Sequence, residues 1–221
     1  MTTTSGDPLV FIILFFVFLA LSIYLFIYNK KKSNLMLSIA QRHGMKFYEA
    51  DSLGIEEKLN EHFAVEKWSE KEILRSFSKV KDVIEIECNT YLFRCQELLC
   101  LNKYRTEHIS NFYRIAICFP VHDNLSVYLR LTNKNAYYHY AYGNPGDRNN
   151  EQILLKIENN LKELLNILNI KKVNYLSVSF NKGLGLVYFE HRIAGGESKD
   201  DIEKLIVISN KIRVMLADCQ F

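Results

Sequence analysis

The chain has 221 residues, is 48% hydrophobic and 24% charged, and contains only 9 Gly and 3 Pro. That composition excludes collagen-like, low-complexity and largely disordered chains. A formal net charge of +3, from 28 basic and 25 acidic residues, excludes a strongly basic nucleic-acid binder and an acidic tail protein.

The first element is the strongest. Pro8 to Tyr28 contains no charged residue. As a helix it extends about 31 Å, the thickness of a bilayer's hydrocarbon core. Pro8 suits a first helical turn, and Tyr24 and Tyr28 suit the lipid–water interface at the far end. A cleaved signal peptide needs a basic n-region, a shorter apolar core and a small-residue cleavage site. Here Met1–Asp7 has no Lys or Arg, and Asn29-Lys30-Lys31-Lys32 follows the run.

The reading is therefore residues 1–7 as a short extracytoplasmic terminus and 8–28 as a single transmembrane helix. Residues 29–50 form a basic juxtamembrane segment with a short helix, and 51–221 a cytosolic domain. Lys30, Lys31 and Lys32 flank the span on one side, against Asp7 on the other, so the positive-inside rule puts the N-terminus outside and the domain in the cytoplasm. Those lysines also attract anionic headgroups. The span has no ionisable group and no G-x-x-x-G, which suits an anchor rather than a channel or proton relay. Phe11, Phe15 and Phe18 share one face that either meets lipid or packs on another span.

Outside the membrane the charge nearly vanishes. Removing the three flanking lysines from 28 basic residues leaves 25, and removing Asp7 from 25 acidic residues leaves 24. No nucleic-acid partner is expected from that balance. The five cysteines, Cys88, Cys95, Cys100, Cys118 and Cys219, are odd in number, which argues against a disulfide framework.

Ser33–His43 reads as a short helix ending at Gly44, either continuous with the span or broken from it. Leu53–Phe63 reads as a helix on Ile55, Leu59 and Phe63. Val65–Val80, with Trp68, Ile73 and Phe77, fits helix or loop. Val83–Cys88, Tyr91–Leu101, Phe112–Phe119 and Leu125–Leu131 read as strands, with turns at Asn89, Asn102–Ser110 and Pro120–Asn124. Such short connections imply an antiparallel meander. Tyr137–Tyr142 is a fifth strand or an aromatic loop, ended by Gly143–Gly146.

Asn150–Leu168 reads as an amphipathic helix. Val173–Phe180 and Leu184–His191 form a hairpin around Asn181-Lys182-Gly183. Ser198 and Asp201 resemble a capping box for a last helix reaching about Asp218. The fold class is α+β: one N-terminal transmembrane helix, then a mostly antiparallel sheet packed against two C-terminal amphipathic helices in two layers.

No catalytic motif emerges. Cys95 and Cys100 fall on opposite faces of a strand, so no zinc site is expected, and no other metal or cofactor. His122-Asp123 and Glu190-His191-Arg192 are loose catalytic parts without a nucleophile setting. Glu85 and Glu87 read as the solvated side of a strand. Gly183-Leu184-Gly185 lacks the third glycine and the helix of a dinucleotide loop, and Gly195-Gly196 lacks a Walker lysine.

One surface feature stands out: Tyr138, Tyr140 and Tyr142 alternate on one side of their segment, as expected of a partner-binding edge. The expected function is thus a membrane-tethered, non-enzymatic interaction module with a protein partner. The alternatives are an enzyme or small-ligand sensor with a site near His122 and His191, and a structural subunit of a larger membrane complex.

Overall fold

The structure is a computed structural model. It describes all residues except 1–7, 64, 69–70, 88, 102–105, 110–112, 122–126, 132–154, 158, 162, 164–172, 192–197 and 218–221. The fold is mixed α and β.

Helix α1, Pro8–Arg42, is one uninterrupted element of 35 residues, roughly 52 Å long. The juxtamembrane helix is therefore continuous with the apolar stretch. It ends where Gly44 adopts φ +64°. Met45 N–H donates to the Ala40 carbonyl (2.8 Å) and Gly44 N–H to the Gln41 carbonyl (3.3 Å), the paired bonds of a Schellman cap. The chain reverses there into β1, Lys46–Ala50, a strand within the segment read from sequence as juxtamembrane.

Asp51 accepts the first-turn N–H groups of Ile55 and Glu56 and starts α2, Ile55–Phe63. Its stripe is the expected one, with Ile55, Leu59 and Phe63 fully buried. Val65–Val80 is neither helix nor loop. It forms β2, Val65–Trp68, and the start of β3, Lys71–Glu85. Pairing with neighbours on both edges decides this, and one segment's periodicity does not report it.

Next come β4, Tyr91–Leu101, β5, Thr106–Ile109, β6, Arg114–Pro120, and β7, Val127–Leu131. Strand β5 lies inside the stretch expected to be a turn. The described residues between 155 and 163 are helical, α3. The hairpin β8, Val173–Asn181, and β9, Leu184–His191, turns through Lys182 and Gly183 at φ 47° and 85°, the positive pair of a type I′ turn. Helix α4, Lys199–Ala217, follows a true capping box. In it, Ser198 N–H and Oγ both donate to Asp201 Oδ2 (2.8 and 2.7 Å), and Asp201 N–H donates back to Ser198 Oγ (3.2 Å).

All pairings form one antiparallel nine-stranded sheet of order β1-β3-β4-β6-β9-β8-β7, with β2 also on β3 and β5 also on β4. The simple meander is corrected in one respect: the β8–β9 hairpin inserts between β6 and β7. The long β3–β4 ribbon is used twice. One end pairs with β1 and β6, the other with β2 and β5.

Both sheet faces are covered, so the fold has three layers rather than the expected two. One core joins Met36, Ile39 and Ala40 of α1, Ile157 and Leu161 of α3, and Ile202, Leu205, Ile208 and Ile212 of α4 with Ile84, Leu92, Ile117, Val178 and Val187 of the sheet. On the opposite face, α2 sets Ile55, Leu59 and Phe63 against Phe77, Val83, Phe93, Cys118 and Tyr188.

Candidate functional site

Strand β3 carries two bulges, between Ser78 and Lys81 and between Lys81 and Ile84. Lys79 and Asp82 sit there at φ 52° and 51°. Each bulge adds a residue on β3 opposite β4, which bends the strand and re-aims its side chains. On the outer edge, β2 stops at Leu74 and β1 begins at Lys81, leaving β3 backbone without a strand partner. Helix α2 supplies substitutes. Asn60 Nδ2 donates to the Phe77 carbonyl, Asn60 Oδ1 accepts Phe77 N–H, and Glu56 accepts Val80 N–H.

The bulge delivers Asp82 to Arg94 of β4. Arg94 is among the largest fully buried side chains, and the pair's exposures are 1% and 4%. Arg94 Nη1 donates to Asp82 Oδ2 at 2.6 Å. Two further donors go to α1: Nη2 to Asn29 Oδ1 (2.8 Å) and Nη1 to the Asn29 carbonyl (3.3 Å). Ser33 Oγ, one turn further, donates to Asp82 Oδ1 at 2.5 Å. The Tyr113 ring lies against the Arg94 guanidinium (4.8 Å) and the Lys81 ammonium (4.0 Å).

Two buried charges are stable only when paired and hydrogen-bonded, and here each partner is also tied to the same helix. The arrangement has no spare acid, base or nucleophile. What it does is mechanical. It locks the helix to the sheet at Asn29 and Ser33, the point where the apolar stretch ends.

Above that lock α1 has no cover in the described structure. The large apolar side chains from Leu9 to Ile27 are 38–73% exposed on every side. This is the one helix among the described residues long and apolar enough to cross a membrane. Lys30 and Lys31 are exposed, and Lys32 lies 5.7 Å from the Tyr28 ring centre.

A second ion pair, between half-buried Arg114 and buried Glu97, sits on the opposite face. Arg114 Nη1 approaches Glu97 Oε2 at 2.9 Å while its guanidinium lies over the Tyr188 ring at 4.3 Å. Asn181 donates to the His62 carbonyl, fastening the β8–β9 turn to α2. An open groove of about 580 Å³ lies where α4 meets the end of β6, lined by Pro120, Val121, Asn210, Arg213 and Val214 among others.

Among the sequence candidates, Tyr138, Tyr140 and Tyr142 lie outside the described residues, as do His122, Cys88, Cys219 and Gly195-Gly196. His191 closes β9, whereas Val121, the neighbour of His122, bonds Gly183 at the other end of that strand. The eight residues of β9 separate those ends by roughly 23 Å. Glu85 is half-buried and accepts from Tyr48 Oη (3.1 Å) and Lys46 Nζ (3.3 Å), so it is not simply solvated; Glu87 lies beyond the strand end.

Cys95 and Cys118 are buried and neither is in a disulfide. Burial pushes the Cys118 thiol up to about 12, far from a reactive thiolate. No group of three or more metal-ligating side chains occurs among the described residues.

Sequence reasoning missed Asp82, Arg94, Asn29 and Ser33. The available signal was the lone arginine inside Tyr91-Leu92-Phe93-Arg94-Cys95, a charge in a run that reads as buried on both faces. The chain matches no protein-family model, no curated protein and no solved structure.

Proposed function

We propose that the protein is a single-pass membrane-anchored interaction module without enzymatic activity, its N-terminus outside and its sheet domain in the cytoplasm. The observation that carries this reading is the continuity of α1. Its first half is apolar all round and uncovered, and its second half is locked into the domain by Arg94, Asp82, Asn29 and Ser33. The asymmetry of Lys30, Lys31 and Lys32 supports the orientation. A domain fixed to its anchor is presented to a membrane partner at one angle and a high effective concentration. Tyr138, Tyr140 and Tyr142 are the first residues to mutate for partner binding.

The test is crosslinking in native membranes, mild-detergent purification and mass spectrometry, with protease added from either side. A stoichiometric membrane protein partner and protection of the domain from outside are expected. A lone monomer, or digestion of the domain from outside, overturns the reading.

A second reading, a small-ligand sensor, draws on the groove beside Val121 next to His122. Val121 and His191 lie at opposite ends of β9, which weighs against one site joining those two ends. A third reading, a structural subunit of a membrane complex, rests on the uncovered Phe11, Phe15 and Phe18 face.

A further inference from the structure

The lock fixes which end of the sheet lies toward the apolar span. Asn29 and Ser33 meet Arg94 and Asp82, while Met36, Ile39 and Ala40, further along α1, share a core with Ile84 and Leu92. Strand β3 therefore runs in the same sense as α1, away from the span. Strand β1, which reverses after Gly44, agrees: Lys46 pairs with Glu85 and Ala50 with Lys81. The β3 bulge at 79–82 thus lies level with the end of the apolar stretch, beside Lys30, Lys31 and Lys32. Its own cations are Lys79, exposed in the left-handed region, and Lys81, half-buried against Tyr113. Of the carboxylates at the bulge, Asp82 is neutralised by Arg94 and Glu56 accepts Val80 N–H, while Glu49 is exposed on β1 between the pairs Tyr48–Val83 and Ala50–Lys81.

We infer that Lys79 and Lys81 of the β3 bulge join Lys30, Lys31 and Lys32 in one cationic collar that binds the anionic headgroups of the leaflet below the span. This rests on the anchor reading and extends it. The sheet does not hang from its helix but is seated on the membrane surface by a loop distant in sequence from the juxtamembrane lysines. The half of β3 before the bulge, Lys71–Ser78, is the one on the span side of Asp82, and the two bulges bend it relative to the half that follows α1. Each lysine held near an anionic surface strengthens binding about fivefold.

The test uses the full chain in lipid nanodiscs, either zwitterionic or with about 30 mol % phosphatidylserine. Lysines are acetylated under limiting conditions and quantified by mass spectrometry. Lys182, exposed at the β8–β9 turn, is the internal reference. Slower acetylation of Lys79 by roughly fivefold in the anionic discs is expected, with Lys182 unchanged and the protection lost at about 0.5 M salt. Equal acetylation of Lys79 in both discs, or equal slowing of Lys182, overturns the collar. A chain that does not incorporate into discs at all overturns the anchor reading instead. The variant K79E/K81E, carried through the same discs, is expected to raise acetylation of Lys30 and Lys31 in the anionic discs; no change there also overturns the collar.

Discussion

Arg94 and Asp82 show how much one residue's environment decides. Arg94 lies within a stretch that reads as strand, and Asp82 falls between Val65–Val80, read as helix or loop, and the strand from Val83. Buried together, they become interdependent. Asp82→Ala leaves the Arg94 guanidinium buried without its counter-ion, and Arg94→Ala leaves the carboxylate likewise; each is expected to cost about 3–5 kcal/mol in denaturant unfolding. The double replacement Asp82→Ala with Arg94→Ala is expected to lose less than the sum of the singles, because no orphaned charge remains. Additive losses in that cycle would show that the two side chains act separately.

The ionisable groups whose affinities are displaced predict an alkaline weakness. Burial raises the Cys118 thiol from 9.0 to about 12, and burial first, then the Glu85 charge, raises Tyr91. In both cases the folded state holds its proton more tightly than the unfolded one. Their stabilisation is complete below the unfolded value and is lost as pH rises, for Cys118 between pH 9.0 and about 12. Chemical denaturation across that range is expected to show stability falling, and Cys118→Ala to fall less steeply. At neutral pH Cys118 is expected to resist alkylation in the folded protein and to react on unfolding.

Among the elements, the ends were more legible than the middles. The α1 terminus, the Ser198–Asp201 box and the Lys182-Gly183 turn each depend on contacts within a few residues, so the local sequence carries them. Their costs are correspondingly local. Gly44→Ala meets nothing within 4 Å of the new Cβ, so its expected loss of about 1 kcal/mol is purely conformational. Ser198→Ala is expected to lose about 1 kcal/mol with the cap. Gly185→Ala is different: its Cβ would lie 2.8 Å from Phe119 Cε2, and Phe119 is fully buried. Thermal unfolding is expected to report 1–3 kcal/mol there, about that of an overpacked core. By contrast, Val65–Val80 could not be read as β2 and β3, since its strand character comes from β2 pairing with β3, from β4 alongside β3, and from Asn60 and Glu56 filling the gap on its edge.

The whole molecule depends on α1 being two things at once. Its half from Asn29 to Arg42 contributes Met36, Ile39 and Ala40 to the main core, while its half from Leu9 to Ile27 contributes nothing to it. A chain of residues 29–221 is therefore expected to fold and remain soluble, with the circular dichroism of an α+β protein. A chain of residues 43–221, lacking those three core side chains and the Asn29 and Ser33 bonds, is expected to aggregate or unfold at much lower denaturant. If both behave alike, the helix is a passive tether and the lock carries no energy.

By itself the sequence determined the apolar stretch, the stripe of α2, the Lys182-Gly183 turn and the antiparallel α+β class. Each of these is written in a run of neighbouring residues, as an uncharged stretch, a period or a cap. Tertiary structure alone decided that the span continues unbroken into the domain, that the β8–β9 hairpin enters between β6 and β7, that helices cover both sheet faces, and that Arg94 reaches across to Asn29. Those facts depend on pairings between residues far apart in the chain, such as Arg94 with Asn29, 65 positions away, and Ala116 with Tyr188. A buried charge finds its partner by where strands and helices cross, and no local pattern records that crossing.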